Sequence, residues 1–212
     1  MLRANVDQRI RVIIVDDHPV LLEGLATMIG SEPDMAFVGE ATTGAEAVRL
    51  FEAVQPDIVL LDLRLPDMSG IDVIKILRES HPAARIIVLT TYQGDVQAVR
   101  ALQAGAMGYL LKATLRKELL ATIRAVHAGE NRILAAVESE IALHSGSPKL
   151  TEREIEVLKQ VAAGCSNKIV ADRLHISDDT VKGHVRRILV KLNANDRTHA
   201  VAIAVRRGFF EL

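Results

Sequence analysis

The chain has 212 residues, 49% of them hydrophobic and 25% charged, which is enough for one large domain or two small ones with full cores. No apolar run approaches the roughly 18 residues that cross a bilayer, and the first nine residues lack the apolar centre of a secretory signal. With Cys165 as the single cysteine, an internal disulfide is excluded, so the expectation is a cytoplasmic protein with no membrane partner. The net charge of -1 is unevenly spread: residues 1–148 carry 14 Lys and Arg against 19 Asp and Glu, residues 149–212 carry 12 against 8. Only the second part is therefore charged to meet a polyanion.

Strand and helix patterns alternate in the first part. Ile10 to Val15 is β-branched and strand-like, and it ends at Asp16-Asp17. Pro19 suits a first helical position, followed by Val20, Leu21, Leu25, Met28 and Ile29 at helical spacing. Met35 to Val38 reads as a second strand, and Thr43-Gly44-Ala45-Glu46 as a capping box opening a helix over Ala47, Val48, Leu50 and Phe51. Ile58 to Leu61 is a continuous apolar run, as in a strand buried on both faces, and it ends on Asp62. Pro66 and Gly70 break the chain before a helix through Val73, Ile74 and Leu77. Ile86 to Leu89 is a fourth strand ending at Thr90-Thr91, and a helix through Val96, Val99 and Leu102 stops at Gly105. Tyr109 to Leu111 is a fifth strand ending at Lys112, and an amphipathic helix from Leu115 to Ala128 follows.

The joint, residues 129–148, holds turn-like Gly129-Glu130-Asn131, a partly apolar Ile133 to Leu143 that fits a helix, and a hinge at Ser145-Gly146-Ser147-Pro148. Beyond it Thr151-Glu152-Arg153-Glu154 is a second capping box, opening a helix through Ile155, Val157, Leu158 and Val161. Ser166 caps a short helix ending near Leu174, with a tight turn at His175-Ile176. Ser177 caps the next, whose apolar face is Val181, Val185, Ile188, Leu189 and Leu192. Its other face carries Lys182, His184, Arg186, Arg187 and Lys191, and a last helix spans Asp196 to Arg207.

Five strands alternating with five helices predict a doubly wound parallel sheet, and then the strand ends matter. All carboxyl ends of a parallel sheet lie on one edge, where such folds bind ligands. Asp16, Asp17, Asp62, Thr90 and Lys112 therefore converge. Three carboxylates repel one another, and a hard divalent cation such as Mg²⁺ relieves the repulsion while bringing phosphate oxygens with it. An ionised Asp beside such a cation can attack phosphorus and become an acyl phosphate. The bland alternative is an acid cluster that Lys112 pairs for structure alone. In the second part, two short helices joined by a turn, the second basic on one face, read as a helix-turn-helix, against the alternative of a solvated basic face.

Asp16-Asp17, Leu60-Leu61-Asp62-Leu63-Arg64-Leu65-Pro66, Leu89-Thr90-Thr91 and Gly108-Tyr109-Leu110-Leu111-Lys112 resemble, in order, the motifs of the flavodoxin-like receiver domain of bacterial response regulators. Leu150-Thr151-Glu152-Arg153-Glu154, Ser166 to Ala171, Ile176-Ser177 with Thr180-Val181-Lys182, and Arg197-Thr198-His199-Ala200 resemble the LuxR-type helix-turn-helix. Over nearly its whole length the chain is similar to a NarL/FixJ-branch regulator: a receiver at 10–128, a linker at 129–148 and an all-α DNA-binding domain at 149–212. The resemblance implies that Asp62 accepts the phosphoryl group from a sensor histidine kinase, assisted by Asp16, Thr90 and Lys112. It implies Mg²⁺ on the carboxylates of Asp17 and Asp62 and the backbone carbonyl of Arg64, with Thr90 and Tyr109 as the switch. It also implies contacts to double-stranded promoter DNA from Lys182, Arg186, Arg187, His184, Lys191, Lys168 and Thr180, and a homodimer in the active state. Such a protein is no enzyme beyond its own phosphorylation and dephosphorylation. Two departures stand out: Ala113 follows Lys112 where many receivers have proline, and Gly183 replaces a larger base-facing side chain. Arg64 and Tyr92 fill variable positions flanking the pocket. The rival reading is a DNA-binding regulator that acts without phosphorylation and uses its receiver as a dimerisation platform.

Overall fold

The computed structural model describes residues 9–91, 94–133, 135–144, 146 and 148–210; Tyr92, Ser145 and Ser147, singled out above, lie outside them. The chain forms two units. One takes the chain to residue 91 together with 99–135, and the other takes 92–98 with 136–212.

In the first unit the elements are β1 (Ile10–Val15), α1 (Pro19–Gly30), β2 (Met35–Ala41), α2 (Gly44–Val54), β3 (Ile58–Asp62), α3 (Gly70–Ser80), β4 (Ile86–Thr90), α4 (Asp95–Ala104, whose first turn, to Ala98, belongs to the second unit), β5 (Gly108–Leu111), α5 (Leu115–His127) and β6 (Arg132–Ile133). The sheet order is β2-β1-β3-β4-β5-β6, with every pairing parallel. Every residue of β3 and β4 is buried, which is why these strands read as unbroken apolar runs rather than alternating ones. Side chains still alternate by face. Val12, Ile14, Ile58, Leu60, Ile87, Leu89 and Leu110 share one core with Leu22, Leu25 and Ile29 of α1 and with Leu115, Leu119, Ile123 and Val126 of α5. Ile13, Val15, Val59, Leu61 and Val88 point to the opposite face and are equally buried.

Four expectations need correction. The sheet has a sixth strand, β6, where only a linker was read; two residues are too short to carry a period. β2 runs on to Ala41, three residues past the predicted end, and a register shift at Val12/Ile13 accommodates it against β1. Val20 is exposed, and Leu22 takes the buried position on α1 instead. At the start of α2, Thr43 accepts from the Glu46 N–H, but the Glu46 carboxylate reaches Thr42 rather than Thr43, so the predicted box is offset by one residue.

The second unit contains α6 (Ala135–His144), α7 (Glu152–Ala162), α8 (Asn167–Leu174), α9 (Asp178–Leu192) and α10 (Arg197–Arg207). Each start from α7 onward has a side-chain cap: Thr151, Ser166 and Ser177, the caps expected from the sequence, and also Asp196 accept from an N–H in the following first turn. The Thr151/Glu154 capping box is complete. Val157, Leu158, Val170, Val181, Ile188, Ala200 and Ala204 form the core. The same unit holds a pair that no local pattern announces. Arg207 donates Nε to Asp95 Oδ1 at 3.0 Å and a second guanidinium N–H to Oδ2 at 2.8 Å, with both residues buried.

Candidate functional site

At the carboxyl edge of the sheet, β1 delivers Asp16, β3 Asp62, β4 Thr90 and β5 Lys112. Asp16, Asp62 and Thr90 are almost wholly buried. The Lys112 ammonium lies 2.6 Å from Asp16 Oδ2 and 2.7 Å from Asp62 Oδ2, so one cation bridges two interior carboxylates. Burial raises the Asp62 carboxyl above its ordinary range, against the pull of Lys112. Burial works against charge on Lys112 as well, but its contacts with Asp16 and Asp62 outweigh it and hold the ammonium protonated. Asp17 stands beside them with its carboxylate 40% exposed.

His18, which the sequence reading passed over, belongs to this cluster. Its Nδ1 lies 2.9 Å from Asp16 Oδ1 and 2.7 Å from Asp17 Oδ1, and its backbone N–H donates to Asp16 at 3.0 Å. Asp16, Asp17, His18 and Asp62 each offer a ligand atom within 4.8 Å of one another. Three hard carboxylates with two interior members suit a hard divalent cation far better than a soft one. Arg64 follows on the exposed side of the loop, bridging in antiparallel fashion to Ser69.

The loop behind Asp62 is built to hold it. Gly70 sits directly against the Asp62 carbonyl and the Leu63 Cα, where any Cβ would collide, and its N–H donates to the Leu63 carbonyl at 2.9 Å. Asp67 was also missed by sequence reasoning. Its carboxylate accepts the Gly44 and Ala45 N–H groups at 2.8 and 2.9 Å, capping α2 from the β3–α3 loop, and these bonds depress its pKa. Tyr109, which the resemblance assigns to the switch, is fully buried with Thr90 as polar neighbour, and burial drives its phenol pKa well up.

In the second unit α9 presents Lys182, Arg186 and Arg187 on an exposed face, while Val181, Ile188 and Leu192 face the core. Lys168 and Thr180 are exposed as well. His184 is half-buried, and desolvation reinforced by Arg187 lowers its pKa. Lys191 is anchored. Its ammonium donates to Glu154 Oε2 at 2.7 Å and to the Lys149 carbonyl at 3.1 Å, while Glu154 also closes the capping box of α7. Burial opposes charge on Glu154, but Lys191 and Thr151 prevail and lower its pKa. A buried carboxylate thus moors α9 to α7.

The model of the response regulator receiver domain matches residues 12–124, and that of the bacterial regulatory proteins of the luxR family matches residues 148–204. The transcriptional regulatory protein LiaR of Bacillus subtilis is 38% identical over 205 residues, covering 93% of this chain and 97% of LiaR. The chain belongs to the two-component response regulators. The nitrate/nitrite response regulator NarL of Escherichia coli K12 is 36% identical over 198 residues, covering 89% of this chain and 92% of its own. A crystal structure of a LuxR-family response regulator from Aurantimonas sp. SI85-9A1 is 39% identical, with a TM-score of 0.62, covering 65% of this chain and 98% of that one. This response regulator is accordingly a DNA-binding transcription factor with a receiver, an acidic phosphoacceptor pocket and a LuxR-type helix-turn-helix. Its receiver implies a kinase as partner. Among the described residues no helix is long and apolar enough to cross a membrane.

Proposed function

We propose that Asp62 is the phosphoacceptor and that its modification controls promoter binding by the second half of the chain. The observation that carries this reading is the Lys112 ammonium shared between Asp16 and Asp62, with the Asp17 carboxylate open beside them. Asp17, Asp62 and the Arg64 carbonyl would hold Mg²⁺, which when bound supplies charge neutralisation to the phosphoryl oxygens and the attacking carboxylate. Asp16 orients the pocket through Lys112 and His18. An Asp62 oxygen attacks phosphorus of the kinase phosphohistidine, the P–O bond forms as the P–N bond breaks, and the departing imidazole takes its proton from solvent. Lys112 then exchanges its contact with the Asp62 oxygen for one with the transferred group, and the Thr90 hydroxyl donates to that group. The raised proton affinity of Asp62 supports a division of labour, since the carboxylate is an effective nucleophile only once cations offset its desolvation.

In this reading residues 10–128 are the receiver, 129–148 the joint and 149–212 the DNA-binding domain, in a cytoplasmic protein that acts as a homodimer on double-stranded promoter DNA. Lys182 and Arg186 face base edges, while Arg187, Lys168 and Thr180 meet the phosphate backbone. His184 and Lys191 lie further round α9, on the Arg187 side, the latter held by Glu154. Phosphorylation with acetyl phosphate and Mg²⁺ tests the assignment: wild type gains one hydroxylamine-labile phosphoryl group and Asp62→Asn gains none. A labile phosphoryl group on Asp62→Asn would overturn it.

The phosphorylation-independent reading draws support from Tyr109, the aromatic that the resemblance assigns to the switch, which is fully buried. It predicts equal promoter binding by Asp62→Asn and by wild type with or without phosphodonor.

A further inference from the structure

The first turn of α9 is acidic, with Asp178 and Asp179 exposed on it. Asp178 Oδ2 lies 2.7 Å and Asp179 Oδ1 3.1 Å from Lys182 Nζ, so two carboxylates hold the one cation of this turn. All three side chains are open to solvent, Asp179 the most so at 91% exposure, and the space above Gly183 is empty. Ser177 caps the turn through the Thr180 N–H, which fixes the backbone from which these side chains project. The acids suit the helix dipole. Facing phosphates, however, they would cancel the attraction of Lys182 and add a repulsion of their own.

We infer that Asp179 is a second base-reading residue, and that the intact Lys182–Asp179 pair reads one G·C pair in the major groove. The inference rests on α9 being the reading helix. In a G·C pair the guanine O6 acceptor and the cytosine N4–H donor lie side by side, joined by a Watson–Crick hydrogen bond of about 3 Å. Lys182 Nζ and Asp179 Oδ1 present the complementary donor and acceptor at 3.1 Å. The ammonium has three N–H groups, so two can stay on Asp178 and Asp179 while the third meets O6. The pair therefore does not have to break on docking. An A·T pair offers the same donor and acceptor with the wrong flanks: the thymine methyl falls beside the ammonium, and adenine N7, an acceptor, beside the carboxylate. Guanine N7 by contrast falls on the Lys182 side. Asp178 is a positioning residue that keeps Lys182 aligned.

Selection of full-length protein against duplexes randomised over the half-site tests this, using wild type, Asp179→Ala, Asp179→Asn, Lys182→Ala and Arg186→Ala. Asp179→Ala should lose about tenfold discrimination at one G·C position, the one that Lys182→Ala also relaxes. Its affinity for random duplex at low salt should hold or rise, because a negative charge has been removed. Asp179→Asn keeps a carbonyl acceptor and should retain part of the preference. Unchanged preference at every position in Asp179→Ala, or an equal loss on all sequences, overturns the assignment. If Lys182→Ala and Arg186→Ala relax positions and Asp179→Ala does not, only this inference falls. If none of them relaxes any position, α9 is not the reading helix and both readings fall.

Discussion

Replacing Glu154 by alanine should unmoor α9 while leaving every basic side chain of that helix in the sequence. The Glu154 side chain is only 3% exposed, accepts the Thr151 N–H at 2.8 Å and holds Lys191 at 2.7 Å, with Arg187 Nε 3.9 Å away. Loss of the reciprocal cap costs about 1 kcal/mol. Breaking a fully buried pair costs ~3–5 kcal/mol, but Lys191 is 24% exposed and can turn to water, which reduces that contribution to roughly 1–2 kcal/mol. The total is about 2–3 kcal/mol. Hydrogen exchange on the full chain reads it directly: amides of α7 and α9 should lose about 30- to 150-fold of protection, and those of β3 and β4 none. The effect should depend on pH. The folded pKa of Glu154 is depressed, so its contribution is present above the unfolded value, near 4.5, and is lost as pH falls through the folded one. Wild type and variant should therefore converge in acid. Equal protection in α9 at neutral pH, or a difference that persists below the folded pKa, would refute this account of the mooring.

Lys112→Gln should destabilise the receiver by ~3 kcal/mol at neutral pH, because Asp16 and Asp62 lose their shared cation, and added Mg²⁺ should restore part of the loss in chemical denaturation. No rescue by Mg²⁺ would argue against a cation-binding pocket. Arg207→Gln strands a buried Asp95 carboxylate and should cost about 3–5 kcal/mol, seen as loss of exchange protection in α10; an unchanged exchange pattern would mean that the pair is dispensable.

The pocket was legible because each strand ended its apolar run on the residue that mattered: Val15 before Asp16, Leu61 before Asp62, Leu111 before Lys112. A parallel sheet then did the gathering, since all carboxyl ends share an edge. The faces of α9 were legible for a similar reason, a 3.6-residue period carrying Val181, Ile188 and Leu192 inward and Lys182 and Arg186 outward. What escaped was contact between residues far apart in sequence. Asp67 caps α2 across 22 and 23 positions, Glu154 meets Lys191 across 37, and Asp95 meets Arg207 across 112, none of which leaves a periodic trace. His18 escaped because a histidine after two aspartates fits a helix entry equally well, and only the geometry brings its ring to both carboxylates.

The most direct test of the central claim is binding to a cognate promoter fragment with and without acetyl phosphate and Mg²⁺, in wild type and Asp62→Asn. The account predicts that phosphodonor tightens binding by wild type and leaves Asp62→Asn unmoved. Equal tightening in both proteins, or no tightening in either, would contradict control through Asp62.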